Sequence, residues 1–124
     1  MRLLLDTHIF LWWRTDSPRL GRTIRRTIAT ADLVWVSAVS GWEVAIKQAL
    51  GKLQLADSFA SMVTASEFDE LVLTLRHTEQ LAALAPHHHD PFDRMLIAQA
   101  QVEQARLVTH DRQFKPYDVP IIWV

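Results

Sequence analysis

An α/β fold with a mainly parallel sheet between helical layers is what this sequence predicts, and three observations carry the expectation. Five short runs are apolar without alternation, as strands covered on both faces are: Arg2 to Leu5, Leu33 to Val36, Leu71 to Leu75, Arg106 to Thr109 and Pro120 to Val124. Segments of helical spacing lie between them, and strands separated by helices pair in parallel. Hydrophobic residues make up 49% of the chain and charged residues 22%, a composition that supports a buried core and argues against a disordered or fibrous chain. The length of 124 residues is that of one domain with one core, so residues 1–124 are read as a single unit.

Taken in order, the first strand ends at Leu5, and Asp6-Thr7 can cap a short helix that starts near His8. Ser17-Pro18 pairs a capping residue with proline at the first helical position, opening a helix to about Ala29. Ser37 caps a helix that runs to Leu50 and stops at Gly51. Helices over Asp57 to about Ser66, Thr78 to about Ala85, and Asp90-Pro91 through Gln104 complete the set.

Several function classes are excluded early. No cysteine is present, which rules out a disulfide framework and a thiolate zinc site and suits a reducing cytoplasm. Arg2 before apolar residues opens like a signal peptide, but Asp6 and His8 interrupt the run and no small-residue cleavage site follows, so a cytoplasmic protein is expected. The longest uninterrupted apolar run, Ile9 to Trp13, is far short of the ~20 residues of a membrane helix. With a net charge of −1, a nucleic-acid partner must be held by a local basic surface.

The chemistry resides in the acids. Ligand sites of open parallel sheets lie at the carboxyl ends of the strands, and Asp6 and Asp111 follow the first and fourth apolar runs. Glu43 shares a helical stripe with Val39, Ile46 and Leu50, and Asp93 shares one with Leu96, Ile97 and Ala100, so both face inward. Each acid also has a local reading. Asp6 and Asp111 fit a cap and a turn, Glu43 fits an ion pair with Lys47, and Asp90 with Asp93 fits a capping box. Four carboxylates in one crevice repel unless a cation neutralises them. Oxygen donors suit Mg2+ or Mn2+, ions that bind phosphate oxygens and acidify water, so phosphodiester hydrolysis is the reaction class.

The stretches LLLDTHIFLWW, SAVSGWEVAIKQALGKL, DPFDRMLIAQA and LVTHD, in that order, resemble the PIN domain and, within it, the VapC-like toxins of bacterial toxin-antitoxin pairs. The resemblance spans essentially the whole chain. It implies a PIN-like three-layer α/β/α sandwich, Mg2+ or Mn2+ dependence, endoribonuclease activity leaving 5′ phosphates and 3′ hydroxyls, restraint by a VapB-like antitoxin, and a homodimer. It also implies that Asp6, Glu43 and Asp93 form the core of a metal site, with Asp111 a ligand directly or through water. Asp90 fits an outer group or the helix cap. Two rival readings remain: a non-catalytic binding module, and an aspartyl-phosphate phosphatase, whose pattern needs an acid where His8 stands.

Around the acids, Thr7 and Thr109 can orient a carboxylate or serve as local caps. The triplet His87-His88-His89 does not point one way and is not expected to bind a metal; its rings suit RNA positioning or a pH response. Arg22, Arg25 and Arg26, with Arg14, Lys47, Arg94, Arg112 and Lys115, are candidate phosphate contacts. Trp12, Trp13 and Trp42 fit base stacking, an antitoxin groove, a dimer face or the core.

Overall fold

The computed structural model describes residues 1–124 throughout. In chain order the elements are β1 (Arg2–Leu5), α1 (Thr7–Arg14), α2 (Arg22–Thr30), β2 (Leu33–Ser37), α3 (Ala38–Ala49), α4 (Phe59–Ala65), β3 (Asp69–Leu71), α5 (Leu75–Ala82), α6 (Pro91–Glu103), β4 (Arg106–Thr109), a 3-10 turn at Arg112–Phe114, and β5 (Ile121–Trp123). The sheet order is β3-β2-β1-β4-β5, and every neighbouring pair is parallel. Chain order advances from β1 to β3 toward one edge and then resumes with β4 on the other side of β1. The switch point therefore lies between β1 and β4, where such sheets open a crevice.

The sheet divides the interior. Leu3, Leu5, Val34, Val36 and Val108 point to one face and pack with Ile9 and Phe10 of α1, Ile28 of α2, and Met62 and Val63 of α4. Leu4 and Leu107 point to the other and pack with Leu96, Ile97 and Ala100 of α6, with Leu81 of α5 at the margin. Size alone suggests one continuous core; strands with apolar side chains on both faces split it into two layers instead.

Four details differ from the sequence reading. Ser17 does not cap a helix: its hydroxyl accepts the Arg19 N–H at 3.2 Å, and α2 starts only at Arg22. The Arg25 guanidinium group holds this turn by donating to the carbonyls of Leu20 and Ser17. The third strand is Asp69–Leu71, because Val72 and Leu73 are exposed and Thr74 already opens α5 through a reciprocal capping box with His77. That cap places the helix start at Leu75, ahead of Thr78. On α3, Val39 and Glu43 are buried as expected, whereas Ile46 and Leu50 are exposed. Gly51 does end that helix, at φ +72, in the left-handed region that favours glycine.

Candidate active site

Asp6 sits where β1 meets α1. Its backbone N–H donates to the Val108 carbonyl of β4 at 2.9 Å, which pins it at the switch point. Its side chain makes no cap bond to α1, so the capping role does not apply. Oδ2 accepts the Thr109 hydroxyl at 2.7 Å, while Oδ1 is buried without any hydrogen-bond partner. Buried polar oxygens are nearly always paired, and an orphan calls for an explanation.

The other three acids approach from three elements. Glu43, on α3, is 5% exposed; its Oε1 accepts from Thr7 at 2.9 Å and its Oε2 accepts from Lys47 Nζ at 2.8 Å. The ion pair with Lys47 thus exists, but on an inward-facing acid. A carboxylate only accepts, so the Thr7 hydroxyl proton points to Glu43 and Ser40, 2.7 Å away, donates to Thr7. Asp111 follows β4; its N–H donates to Thr109 Oγ1 at 3.0 Å, and its Oδ1 caps the 3-10 turn at Gln113. Asp93 lies in the first turn of α6, where Asp90 is the cap, accepting from the N–H groups of Phe92 and Asp93.

Two of the acids, Asp93 and Asp6, are raised by burial and by their neighbours' charges. Burial pushes the Asp93 carboxyl up to about 8, and the charges of Asp6, Asp90, Glu43 and Asp111 push the same way. Burial also raises Asp6, with the Thr109 hydroxyl opposing and the Glu43 charge adding. Contacts join them at one crevice: Thr109 links Asp6 to Asp111, Thr7 links the end of β1 to Glu43, and Asp93 and Asp111 meet at one histidine, His88. A set of carboxylates with one orphan oxygen could hold a cation.

His88 is the member that sequence reasoning missed. His87 and His89 are exposed, but His88 is buried. Its Nδ1 accepts the Asp90 N–H at 3.2 Å, so in the neutral ring Nε2 carries the proton. Nε2 lies 3.1 Å from Asp93 Oδ2 and 3.4 Å from Asp111 Oδ2, and one atom from each of these three side chains falls within 4.8 Å of the others. The Tyr117 hydroxyl holds the loop by accepting the N–H groups of His87 and His88. Helical phase does not extend into a loop, so nothing in the triplet distinguished the middle ring.

Residues 3–120 match the PIN domain family. This chain is a PIN domain. It is 32% identical over 123 residues to Ribonuclease VapC22 of Mycobacterium tuberculosis, covering 95% of this chain and 93% of that protein. Among solved structures, VapBC-1 from nontypeable Haemophilus influenzae overlays with a TM-score of 0.75 at 19% identity, covering 99% of this chain and 98% of that one. VapBC2 from Rickettsia felis, bound to a promoter DNA fragment, gives 0.74 at 16% identity, with 98% of each chain covered. These two likenesses show the α/β fold.

Beside the acids, the PIN domain carries a hollow of about 400 Å³ lined by Asp6, His8, Trp12, Arg19, His110, Asp111 and Arg112. Most of the arginines expected to contact phosphate are elsewhere or engaged. Arg25 pairs with Asp16 and lies over Trp13, and Arg94 donates to Ala85 O and the Tyr117 hydroxyl. Trp13 packs on Phe68, whereas Trp42 is 58% exposed with its ring against Phe92. No helix is long and apolar enough to cross a membrane.

Proposed function

We propose that residues 1–124 form one PIN domain that acts as a divalent-metal-dependent endoribonuclease toxin, restrained by a VapB-like antitoxin in the cytoplasm and working as a homodimer. The observation that carries this reading is the buried, partnerless Oδ1 of Asp6, beside acids whose charges raise Asp93. The ribonuclease relative and the complexes to which the fold is similar support the toxin class.

Asp6, Glu43, Asp93 and Asp111 would hold Mg2+ or Mn2+, since their donors are oxygens. When bound, such an ion polarises the phosphodiester and stabilises charge developing on its oxygens. The rest is the work of this chain. Thr109 fixes the Asp6 carboxylate so that Oδ1 stays free, Thr7 fixes Glu43, and Lys47 holds the second Glu43 oxygen. Asp93 must release its proton to serve as a ligand, so cation affinity rises with pH toward about 8.

The test is incubation of the purified protein, freed of any partner, with total cellular RNA in Mg2+ or Mn2+, beside EDTA and Asp6→Asn controls. Discrete cuts with 5′ phosphates, present only with metal and Asp6, are expected. A folded Asp6→Asn protein that cuts like the wild type would remove Asp6 from the reaction. Thr109→Val should lower Mg2+ affinity roughly 10-fold in calorimetry, as loss of a ligand's orienting partner does.

A further inference from the structure

The hollow beside Asp6 and Asp111 has the chemistry of a nucleotide site, with cations and aromatic rings on its rim and acids at its floor. Arg19 Cζ lies 5.4 Å from the Trp12 ring centroid and Arg112 Cζ lies 4.5 Å from that of Trp123. Indole contact holds both guanidinium groups in place, yet neither has a carboxylate partner. This separates them from Arg25 and Arg94, whose side chains are tied to carbonyls of their own loops. The His110 ring meets Trp12 edge to face at 5.6 Å. Its Nδ1 lies 2.8 Å from the Val124 carbonyl and donates to it, which in the neutral ring leaves Nε2 as an acceptor. His8 is exposed at the same rim.

We propose that this hollow binds the unpaired nucleotide next to the cleaved phosphate of single-stranded RNA, with its base packed on the Trp12–Arg19 pair and the flanking phosphates held by Arg19 and Arg112. The proposal rests on the nuclease reading above and adds the residues that hold the substrate beside the acids. Aromatic and guanidinium planes stack any unpaired base, whereas bases within a duplex are not presented for stacking. Guanidinium forks match phosphate oxygens and carry no sequence information. A volume of about 400 Å³ falls within the range of small-ligand sites. The arrangement also resolves a charge problem: an anion reaching Asp6 and Asp111 would be repelled without Arg19 and Arg112 at the entrance.

The test uses the full chain in the Asp93→Asn background with EDTA, so that RNA is bound and not cut. Anisotropy of a labelled mixed-sequence RNA pentamer gives the affinity at several salt concentrations. Trp12→Ala should weaken binding about 10-fold or more without changing the salt slope, and Trp12→Phe should restore most of it. Arg19→Glu, on an exposed residue whose loss does not threaten the fold, should weaken binding and reduce the salt slope by about 1 or more. Lys52→Ala should change neither. Pentamer binding that ignores both Trp12→Ala and Arg19→Glu overturns the proposal, as does a duplex that binds as tightly and with the same Trp12 dependence. The two readings fail separately. RNA cut by the wild type with no role for Trp12 or Arg19 removes the subsite alone; Trp12-dependent binding without cleavage in either metal removes the nuclease alone.

Discussion

Asp93→Asn is expected to make the metal-free protein more stable while abolishing RNA cleavage. The folded Asp93 carboxyl titrates at about 8, against an ordinary 3.8, because it is buried among Asp6, Asp90, Glu43 and Asp111. The sign follows from linkage: a carboxyl raised in the folded state favours folding at low pH, and that stability is lost as pH rises from about 4 through about 8. Each pH unit across this window costs up to about 1.4 kcal/mol, while the His88 N–H directed at Oδ2 offsets part of the total. Asn keeps the shape, still accepts from His88, and carries no charge. Thermal melts in EDTA above pH 8 should show a gain of about 3 kcal/mol for the variant, shrinking as pH falls toward 4. Saturating Mg2+ should reverse the order, because a ligand that binds only the folded state stabilises the wild type by mass action. A variant that melts below the wild type at every pH in EDTA would mean that Asp93 is not strained by its neighbours.

How far the sequence reveals this site depends on where each acid lies. Asp6 and Asp111 were legible because apolar strands end at them, and parallel sheets gather ligands at strand ends. Glu43 and Asp93 were legible from phase alone, since each shares a stripe with residues that are buried: Val39 on α3, and Leu96, Ile97 and Ala100 on α6. The same phase failed at Ile46 and Leu50, because only the first half of α3 is covered and an apolar residue past the edge of a layer has nothing to pack on. His88, Trp12 and Arg19 meet their partners across loops and helix ends, contacts that periodicity does not report. The capping box at Thr74 was missed because His77 fills the position usually held by Glu or Gln.

The second large effect is expected at a residue that does not line the acid site. Gln99, fully buried on α6, accepts the Ser37 hydroxyl at 2.6 Å and donates to the Val72 carbonyl at 3.4 Å. Ser37 in turn accepts the Val39 N–H as the cap of α3. Asp93 lies six residues before Gln99 and Glu43 six residues after Ser37, so one side-chain bridge fixes the distance between the two acid-bearing helices. Gln99→Leu preserves bulk but leaves the buried Ser37 O–H without an acceptor and the Val72 carbonyl without this donor, a loss of about 2–4 kcal/mol. At this chain length that lowers Tm by roughly 10 °C. Gln101→Leu breaks two bonds nearer the surface, one accepted from the half-buried Gln80 amide and one donated to the exposed Asp118 carbonyl, and should cost about 1 kcal/mol or less. A double-mutant cycle with Ser37→Ala decides whether the bridge or mere packing is responsible: one shared bond gives a combined loss smaller than the sum of the single losses, whereas additive losses would separate Gln99 from the α3 cap. If the bridge sets helix spacing, Gln99→Leu also weakens Mg2+ binding below its unfolding temperature, since displaced carboxylates cannot meet one ion.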